Sequence, residues 1–470
     1  SSFGMLSFRQ YLRASKTLFV TATKAKAAAA GSEEKVLFDI VIGNEAGDCD
    51  SIVSSLLQAY YLSSTSYKFV RMEEMRHVFP VLPIPEADFK LRGETCALLK
   101  KCGILPDELI FLDQVPWKNV DIGRVTLVDH NALAPSMSFL APAVHAIVDH
   151  HVDEKLYLDI VPDERRHIEM VGSCCSLIAE KFLKHEELFF FHDKEDEDER
   201  ADGLESRHIL STLLFATIVL DTVDLSPDAK KATSLDIQMV DFFVKKFNYD
   251  RKKTFDSLQS IKFDPSFWKS LGIRDKLRLD YKQYQAKEEG PNKTAVGISA
   301  VLVPLSAWVH VTNPNTGKLD PEFPLEGQDV QDVVIDRSSF LPTVCRYMDE
   351  REIDVLIVMC LHFAEENGVN KPVRELLLAS RDETLFTKFQ KGLLETESSK
   401  GRLDLAVINE GLGLTDGGLE RHDWGGKWTE NEYTGEKDFS DGMHLYVKPY
   451  RQNNASASRK QVAPIVQQIL

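Results

Sequence analysis

Three times in its first half the chain runs through a short, almost unbroken apolar segment and stops on polar residues of metal-ligating type. Val36–Ile42 leads into Gly43-Asn44-Glu45-Ala46-Gly47-Asp48-Cys49-Asp50. Val125–Val128 leads into Asp129-His130-Asn131, and Val144–Val148 into Asp149-His150-His151. Apolar residues at successive positions mean that both faces of each strand are buried. Helical stretches such as Ser51–Leu62 lie between them and can supply the cover. This is the pattern of a parallel sheet with helices on both sides. In such sheets ligands collect beyond the carboxyl ends of the strands. The expected fold class is therefore α/β, with the polar clusters gathered at one end of the sheet.

Taken singly, each cluster has an ordinary structural reading. One aspartate before a helix is an N-cap, and one histidine is a hydrogen-bonded core residue. Asp221, at the end of Thr217-Ile218-Val219-Leu220, reads as a cap or an ion pair. The recurrence of ligand-type residues at three strand ends resists those readings, as does the spacing of two between Asp48 and Asp50. Carboxylate oxygens combined with imidazole nitrogens suit Mn²⁺-, Co²⁺- or Mg²⁺-type cations. The expected metal set is Asp48, Asp50, Asp129, the His150-His151 pair and Asp221.

The rest of the chain narrows the setting. A length of 470 residues fits about two to four domains. A net charge of −17 argues against a broad nucleic-acid binder. It leaves room for a polyanionic substrate held by cations and a local basic groove. No apolar run approaches the roughly 20 residues of a membrane span. Seven cysteines without a CxxC pair suggest a reducing compartment, and a cytoplasmic location is expected.

Ser1–Gly4 read as a vector-derived scar. Arg9, Arg13, Lys16, Lys24 and Lys26, with no acidic residue up to Ser32, allow a mitochondrial-matrix presequence as an alternative. The preferred reading is an amphipathic helix with Phe8, Leu12 and Leu18 or Phe19 on one face. The acidic stretch 185–206 reads as a solvated surface insertion without the spacing of a calcium-binding loop. A second block begins near Asp264-Pro265, with strands expected at Ala295–Ser299 and Val355–Met359. Residues 396–442 read as an elaborate loop region. No GxSxG elbow is present.

In their order along the chain, the four motifs resemble those of the DHH phosphoesterase superfamily. Leu91-Arg92-Gly93-Glu94-Thr95, Val171-Gly172-Ser173-Cys174-Cys175 and Lys231-Ala232-Thr233-Ser234-Leu235-Asp236 resemble family segments around them. The second half resembles a DHHA2 domain through Arg278–Lys282, Val296–Ser299 and Ser456–Val462. The resemblance covers most of the chain. It implies a DHH catalytic, metal-binding domain over 5–262, with a parallel sheet flanked by helices. It also implies a smaller α/β DHHA2 substrate-binding domain over 263–470, an active site in the cleft between the two, and an opening and closing motion about residues 245–265.

The resemblance limits the choice to exopolyphosphatases, manganese-type (family II) pyrophosphatases and Prune proteins. Family II pyrophosphatases carry a ligating His where Asn44 stands. Prune proteins often replace the residue at His151 with Arg. This chain keeps His151 and Ser458-Arg459-Lys460, so it is most similar to the yeast-type cytosolic exopolyphosphatases. The implied activity is metal-dependent hydrolysis of the terminal phosphoanhydride of inorganic polyphosphate, releasing orthophosphate. A monomer with no nucleic-acid or membrane partner is expected. The alternatives are a Prune-like phosphodiesterase or short-chain polyphosphatase, a family II-like pyrophosphatase, and a catalytically silent metal-binding regulator.

Site roles follow from the same resemblance. Two divalent cations, Mg²⁺ or Mn²⁺ with Co²⁺ as an alternative, would lie about 3.5–4 Å apart. Asp129 and Asp221 would bridge or span them, Asp48 would hold one, and Asp50 with His150 the other. Asn44 offers a neutral oxygen and is expected near substrate; it favours loosely held Mg²⁺ over retained Mn²⁺. His151 would face the phosphoryl group as hydrogen-bond donor or proton carrier. Lys282 and Arg459 would grip phosphate oxygens, and Arg278, Lys293 and Lys460 would line a basic path for the chain. Asp129, His151, Lys282 and Arg459 form the expected catalytic set.

Overall fold

The computed structural model describes residues 6–28, 37–66, 76–185, 197–286, 293–305, 310–312, 334–336, 340–366, 368–395, 403–408, 420–424 and 443–470. The chain divides into two compact units, Ser1–Lys262 and Phe263–Leu470.

The first unit holds, in chain order, α1 (Phe8–Ala28), β1 (Leu37–Ile42), α2 (Cys49–Ser66), β2 (Arg76–Leu82), α3 (Glu86–Phe89), α4 (Gly93–Lys101), β3 (Ile110–Phe111), β4 (Asp121–Val128), β5 (Val144–Asp149) and β6 (Arg166–Ile168). The helices α5 (Cys174–Lys184), α6 (Glu197–Asp221), α7 (Ser234–Phe247) and α8 (Arg251–Lys262) complete it. The six strands form one parallel sheet in the order β3-β2-β1-β4-β5-β6. From β1 the chain winds outward through β2 to β3, then returns to the other side of β1 and winds outward through β4, β5 and β6. The winding reverses between β1 and β4, and that switch point is where an open parallel sheet leaves a crevice at its carboxyl edge.

Strand alternation explains why the runs are apolar throughout. Ile40, Ile42, Val81, Leu127 and Ile147 face one core, with Phe19, Phe38, Phe79 and Leu140. Val41, Leu82, Val128 and Val148 face the other, with α2, α5, α6 and α7. The N-terminal segment is the amphipathic helix of the preferred reading, and it touches both cores. Phe8, Tyr11 and Leu12 enter the helical core, and Phe19 the opposite one.

Strand β2 was not among the expected strands, and it carries Pro80 in its second half. Here β3 pairs only with Val81 and Leu82. Pro80 therefore lies on an open stretch of sheet edge, the place a sheet tolerates proline. The acidic stretch 185–206 is also not simply an insertion loop. From Glu197 it is the opening of α6, a 25-residue helix ending at Asp221; residues 186–196 lie outside the described residues. The expected hinge region is largely helical, since α7 and α8 fill most of it.

The second unit contains α9 (Pro265–Ser270), α10 (Ile273–Leu279), β7 (Tyr281–Gln285), β8 (Ala295–Val301), β9 (His310–Thr312), β10 (Val334–Asp336), α11 (Phe340–Glu350), β11 (Val355–Glu366), β12 (Val369–Ser380) and α12 (Glu383–Glu395). Strands β13 (Leu405–Val407), β14 (Glu420–Trp424) and β15 (Met443–Gln452) precede α13 (Arg459–Ile469). Its main sheet is mixed, in the order β13-β15-β12-β11-β8-β7, with β14 also on β15. Only β8 and β11 are parallel neighbours among these pairs. Phe386, Phe389 and Leu393 of α12, and Val462, Ile465 and Val466 of α13, cover one face. Where a loop was expected at 396–442, the described residues contribute β13 and β14.

Phe182 of α5 is fully buried, stacked on Tyr60 and edge-on to Tyr61. Phe182→Ala should lower the stability of the first unit by about 3–5 kcal/mol. Urea unfolding followed by circular dichroism checks this as a lower midpoint at unchanged slope.

Candidate metal centre

Strand β1 ends in a tight loop that puts its polar residues at the switch point. Gly43 is required by space, because a Cβ there would lie 2.1 Å from Ser51 Oγ and 2.8 Å from the Ser51 carbonyl oxygen. Gly47 has φ +56° and closes the turn. Arg92, buried, clamps this loop from outside: its guanidinium donates to the carbonyls of Ala46 at 2.6 Å, Gly47 at 3.2 Å and Asp88 at 3.1 Å. Asp48 Oδ1 accepts from the Ser51 N–H at 3.0 Å and caps α2. Asp50, inside the first turn, points inward.

Asp50 is held by four donors of the β6–α5 turn and α2. Ser173 Oγ donates at 2.9 Å, Cys174 N–H at 2.7 Å, Cys175 N–H at 3.0 Å and Ser54 Oγ at 3.4 Å. The N-terminus of α5 thus carries positive partial charge to this carboxylate. Even so, burial, and then repulsion from Asp129 and Asp221, push its carboxyl well above the usual range.

Asp129 follows β4 in a left-handed conformation, φ +59°, which aspartate tolerates better than most residues. Asn44 fastens it there. The Asn44 side-chain amide donates to Asp129 Oδ2 at 2.5 Å and to its carbonyl at 3.2 Å, while Asn44 Oδ1 accepts from the Ala46 N–H at 2.9 Å. Asn44 was expected to offer its oxygen to cation or substrate. Instead that oxygen takes a backbone N–H, and the residue positions Asp129.

The two histidines after β5 face different ways. His150 Nδ1 lies 3.0 Å from the Val171 carbonyl, which can only accept, so this nitrogen carries the proton. Its Nε2 then presents a lone pair, 3.0 Å from Asp129 Oδ1 and 3.8 Å from Asp50 Oδ2. A carbonyl that fixes the tautomer of an imidazole is the usual support of a ligating histidine. His151 Nδ1 donates to Asp149 Oδ1 at 2.8 Å, leaving Nε2 as its other ring nitrogen; the side chain is 24% exposed. Asp149 is fully buried and accepts also from the Asn131 amide at 2.5 Å. Burial by itself would raise Asp149. The hydrogen bond and the field of the His151 imidazole, with the Asn131 amide, override it and hold the carboxyl well below the usual range.

Two ligand groups result: Asp129 with His150 and His151, and Asp50 with His150 and Asp221, each with its ligand atoms within 4.8 Å of one another. They share His150. Asp48 joins neither group; its carboxylate caps α2. The donor set fits a divalent cation on two counts. The Nε2 lone pair faces a carboxylate oxygen at 3.0 Å, and Asp50 is buried against the repelling carboxylates of Asp129 and Asp221.

The other expected residues belong to the second unit. Arg459 opens α13 and binds Asp280, Nη2 to Oδ1 at 2.6 Å and Nη1 to the carbonyl at 3.1 Å. Lys282 stands on β7, two residues beyond Asp280. Arg278 pairs with Asp275 at 2.8 Å. Lys460, beside the Ser458 cap, and Lys293 are exposed. Sequence reading missed Asn131, Asp149 and Ser173, which hold the ligands rather than form them. Asp149 stands in the same motif as His150 and His151, the one signal that could have found it.

The parallel sheet thus gathers aspartates and a tautomer-fixed histidine at its switch point, donors of the kind that suit divalent cations. The DHHA2 domain model matches residues 257–469. Exopolyphosphatase PRUNE1 of Bos taurus is 30% identical over 454 residues, 94% of this chain and 77% of the relative. A putative exopolyphosphatase of Schizosaccharomyces pombe is 32% identical over 253 residues, 53% of this chain and 60% of the relative. A manganese-dependent inorganic pyrophosphatase of Methanocaldococcus jannaschii is 27% identical over 205 residues, 43% of this chain and 57% of the relative. The chain belongs to the DHH phosphoesterases that carry a DHHA2 domain.

Replacing Asp221 by Asn removes one of the charges that crowd Asp50. Asp221→Asn should leave the cation-free protein at least as stable as the parent. It should also at least halve the rise in melting temperature on adding Mn²⁺, because a ligand stabilises the folded state in proportion to ln(1 + [L]/Kd). Differential scanning calorimetry with and without Mn²⁺ reads both effects.

Proposed function

We propose that the chain is an exopolyphosphatase, hydrolysing the terminal phosphoanhydride of inorganic polyphosphate with two divalent cations, Mg²⁺ or Mn²⁺. The observation that carries this reading is the pair of ligand groups sharing His150, in a chain aligned over most of its length with relatives named exopolyphosphatase. Asp50, Asp129, His150 and Asp221 would hold the cations, with Asp48 beside them.

When bound, such cations neutralise phosphoryl oxygens and lower the pKa of a coordinated water. The chain's own residues do the rest. Asn44 and the left-handed backbone fix the Asp129 carboxylate before any substrate arrives. The Val171 carbonyl keeps His150 in the ligating tautomer. Asp149, steadied by Asn131, holds the Nδ1 proton of His151 and favours the imidazolium, whose Nε2–H would donate a hydrogen bond or a proton to an oxygen of the scissile phosphate. Lys282 and Arg459 of the second unit would bind phosphate oxygens, Arg459 through its planar fork, with Arg278, Lys293 and Lys460 favouring a polyanionic chain. In this reading residues 5–262 form the catalytic domain and 263–470 the substrate-binding domain.

Pyrophosphate hydrolysis is the second reading, favoured by the alignment with the archaeal pyrophosphatase. Asn44 weighs against it, because its side-chain oxygen already accepts the Ala46 N–H.

Phosphate release from long-chain polyphosphate, tripolyphosphate, pyrophosphate and cyclic AMP, each with Mg²⁺, Mn²⁺ and Co²⁺, tests the proposal. Polyphosphate should be the best substrate; pyrophosphate in first place would overturn the reading. Asp129→Asn keeps a residue that tolerates the left-handed region and should leave less than a few per cent of activity, measured by the same assay. Arg459→Ala should raise KM for polyphosphate by about tenfold or more, the scale of a lost charge-assisted hydrogen bond. Unchanged KM and kcat would remove it from substrate binding.

A further inference from the structure

One buried carboxylate outside both ligand groups gathers the segments that deliver the ligands. Asp236, on the first turn of α7, is fully buried and accepts five hydrogen bonds. Two come from Thr233, N–H at 2.7 Å and Oγ1 at 2.8 Å, which close the cap of α7. The other three come from across the unit: Gly172 N–H at 2.8 Å, Ser173 N–H at 3.3 Å and Ser176 Oγ at 2.6 Å. A helix cap needs only the first pair. The remaining three pin the turn before α5.

That turn supports two ligand residues directly. Val171, next to Gly172, gives the carbonyl that receives His150 Nδ1–H. Ser173 and the first N–H groups of α5 hold Asp50. A third ligand residue is adjoined by packing: a Cβ on Gly172 would lie 2.6 Å from Thr222 Cγ2, 2.9 Å from Asp236 Oδ2 and 3.0 Å from the Lys231 carbonyl. Thr222 follows Asp221. The turn is thus wedged between Asp236 and the end of α6, with no room for a side chain.

We infer that Asp236 is a positioning residue of the metal centre, setting His150 and Asp50 through the 171–173 turn. The inference rests on the metal-dependent reading of the site but not on the identity of the substrate. Asn cannot replace Asp here. Every neighbour within hydrogen-bonding distance donates, so an amide NH₂ would meet donors on one side. Loss of such an outer support typically costs about 10–100-fold in metal affinity.

The test uses the full chain, stripped with a chelator and titrated with Mn²⁺ and Co²⁺ below its unfolding temperature. Asp236→Asn should bind Mn²⁺ about tenfold more weakly or worse, read by electron paramagnetic resonance of free Mn²⁺. It should also change the ligand-field absorption of bound Co²⁺. Thr233→Val, which loses one capping donor but leaves the 171–173 turn pinned, should lower stability without moving either readout. Equal Mn²⁺ affinity and an identical Co²⁺ spectrum in folded Asp236→Asn would overturn the inference. If Asp236→Asn does not fold, Ser176→Ala removes only the 2.6 Å donor. It should still weaken Mn²⁺ binding measurably, and unchanged affinity overturns the inference equally. A parent chain that binds neither ion would sink the metal reading itself along with this inference. One that binds ions but hydrolyses no phosphoanhydride would sink only the proposed substrate.

Discussion

Like charges brought together inside a protein must be held against their own repulsion, and the first unit is organised around that requirement. Asp50, Asp129 and Asp221 converge at the switch point, where burial and mutual repulsion raise Asp50. Each element of the support answers this. The N–H groups of α5 face Asp50, and the Asn44 amide faces Asp129. The parallel sheet explains why such crowding is affordable at that place, since its strands are buried on both faces and anchor each carboxylate-bearing loop in core. Proteins keep destabilising clusters of this kind where a ligand relieves them.

Much of this was legible in the sequence because of chemistry repeated at a fixed structural position. Three apolar runs ending on ligand types required a parallel sheet and a shared end, and Asp50, Asp129, His150, His151 and Asp221 do converge. The supports were not legible. Asn131, Ser173 and Asp236 are residues whose ordinary uses are turns and caps, and only long-range folding brings them to the ligands. Asn44 shows the difficulty well. Its residue type says only that it can both donate and accept, and geometry decided that it donates to Asp129. Asp48 and Asp50 looked alike in sequence, yet one caps α2 from outside and the other enters the site from the first turn. Strand β2 carries Pro80 at a position that β3 does not pair with, the kind of place where a sheet tolerates proline. The acidic run at 185–206 had the composition of a loop, but its later part belongs to a helix whose apolar remainder is buried.

The second unit relies on different physics. Its mixed sheet is mostly antiparallel, and two of its arginines are engaged by acidic neighbours, Arg459 with Asp280 and Arg278 with Asp275. Such pairing fixes the orientation of a guanidinium by a charge-assisted hydrogen bond.

Helix α1 has a consequence for how the chain is made. Tyr11 reaches the Val78 carbonyl, Lys16 the Leu109 carbonyl, and the Phe8 N–H the hydroxyl of Ser206. Helix α1 is synthesised well before these partners, and its aromatic face stays unburied until they follow. A nascent chain of this kind completes its first unit only once α6 has emerged, a long interval in which chaperones have the exposed face of α1 to bind.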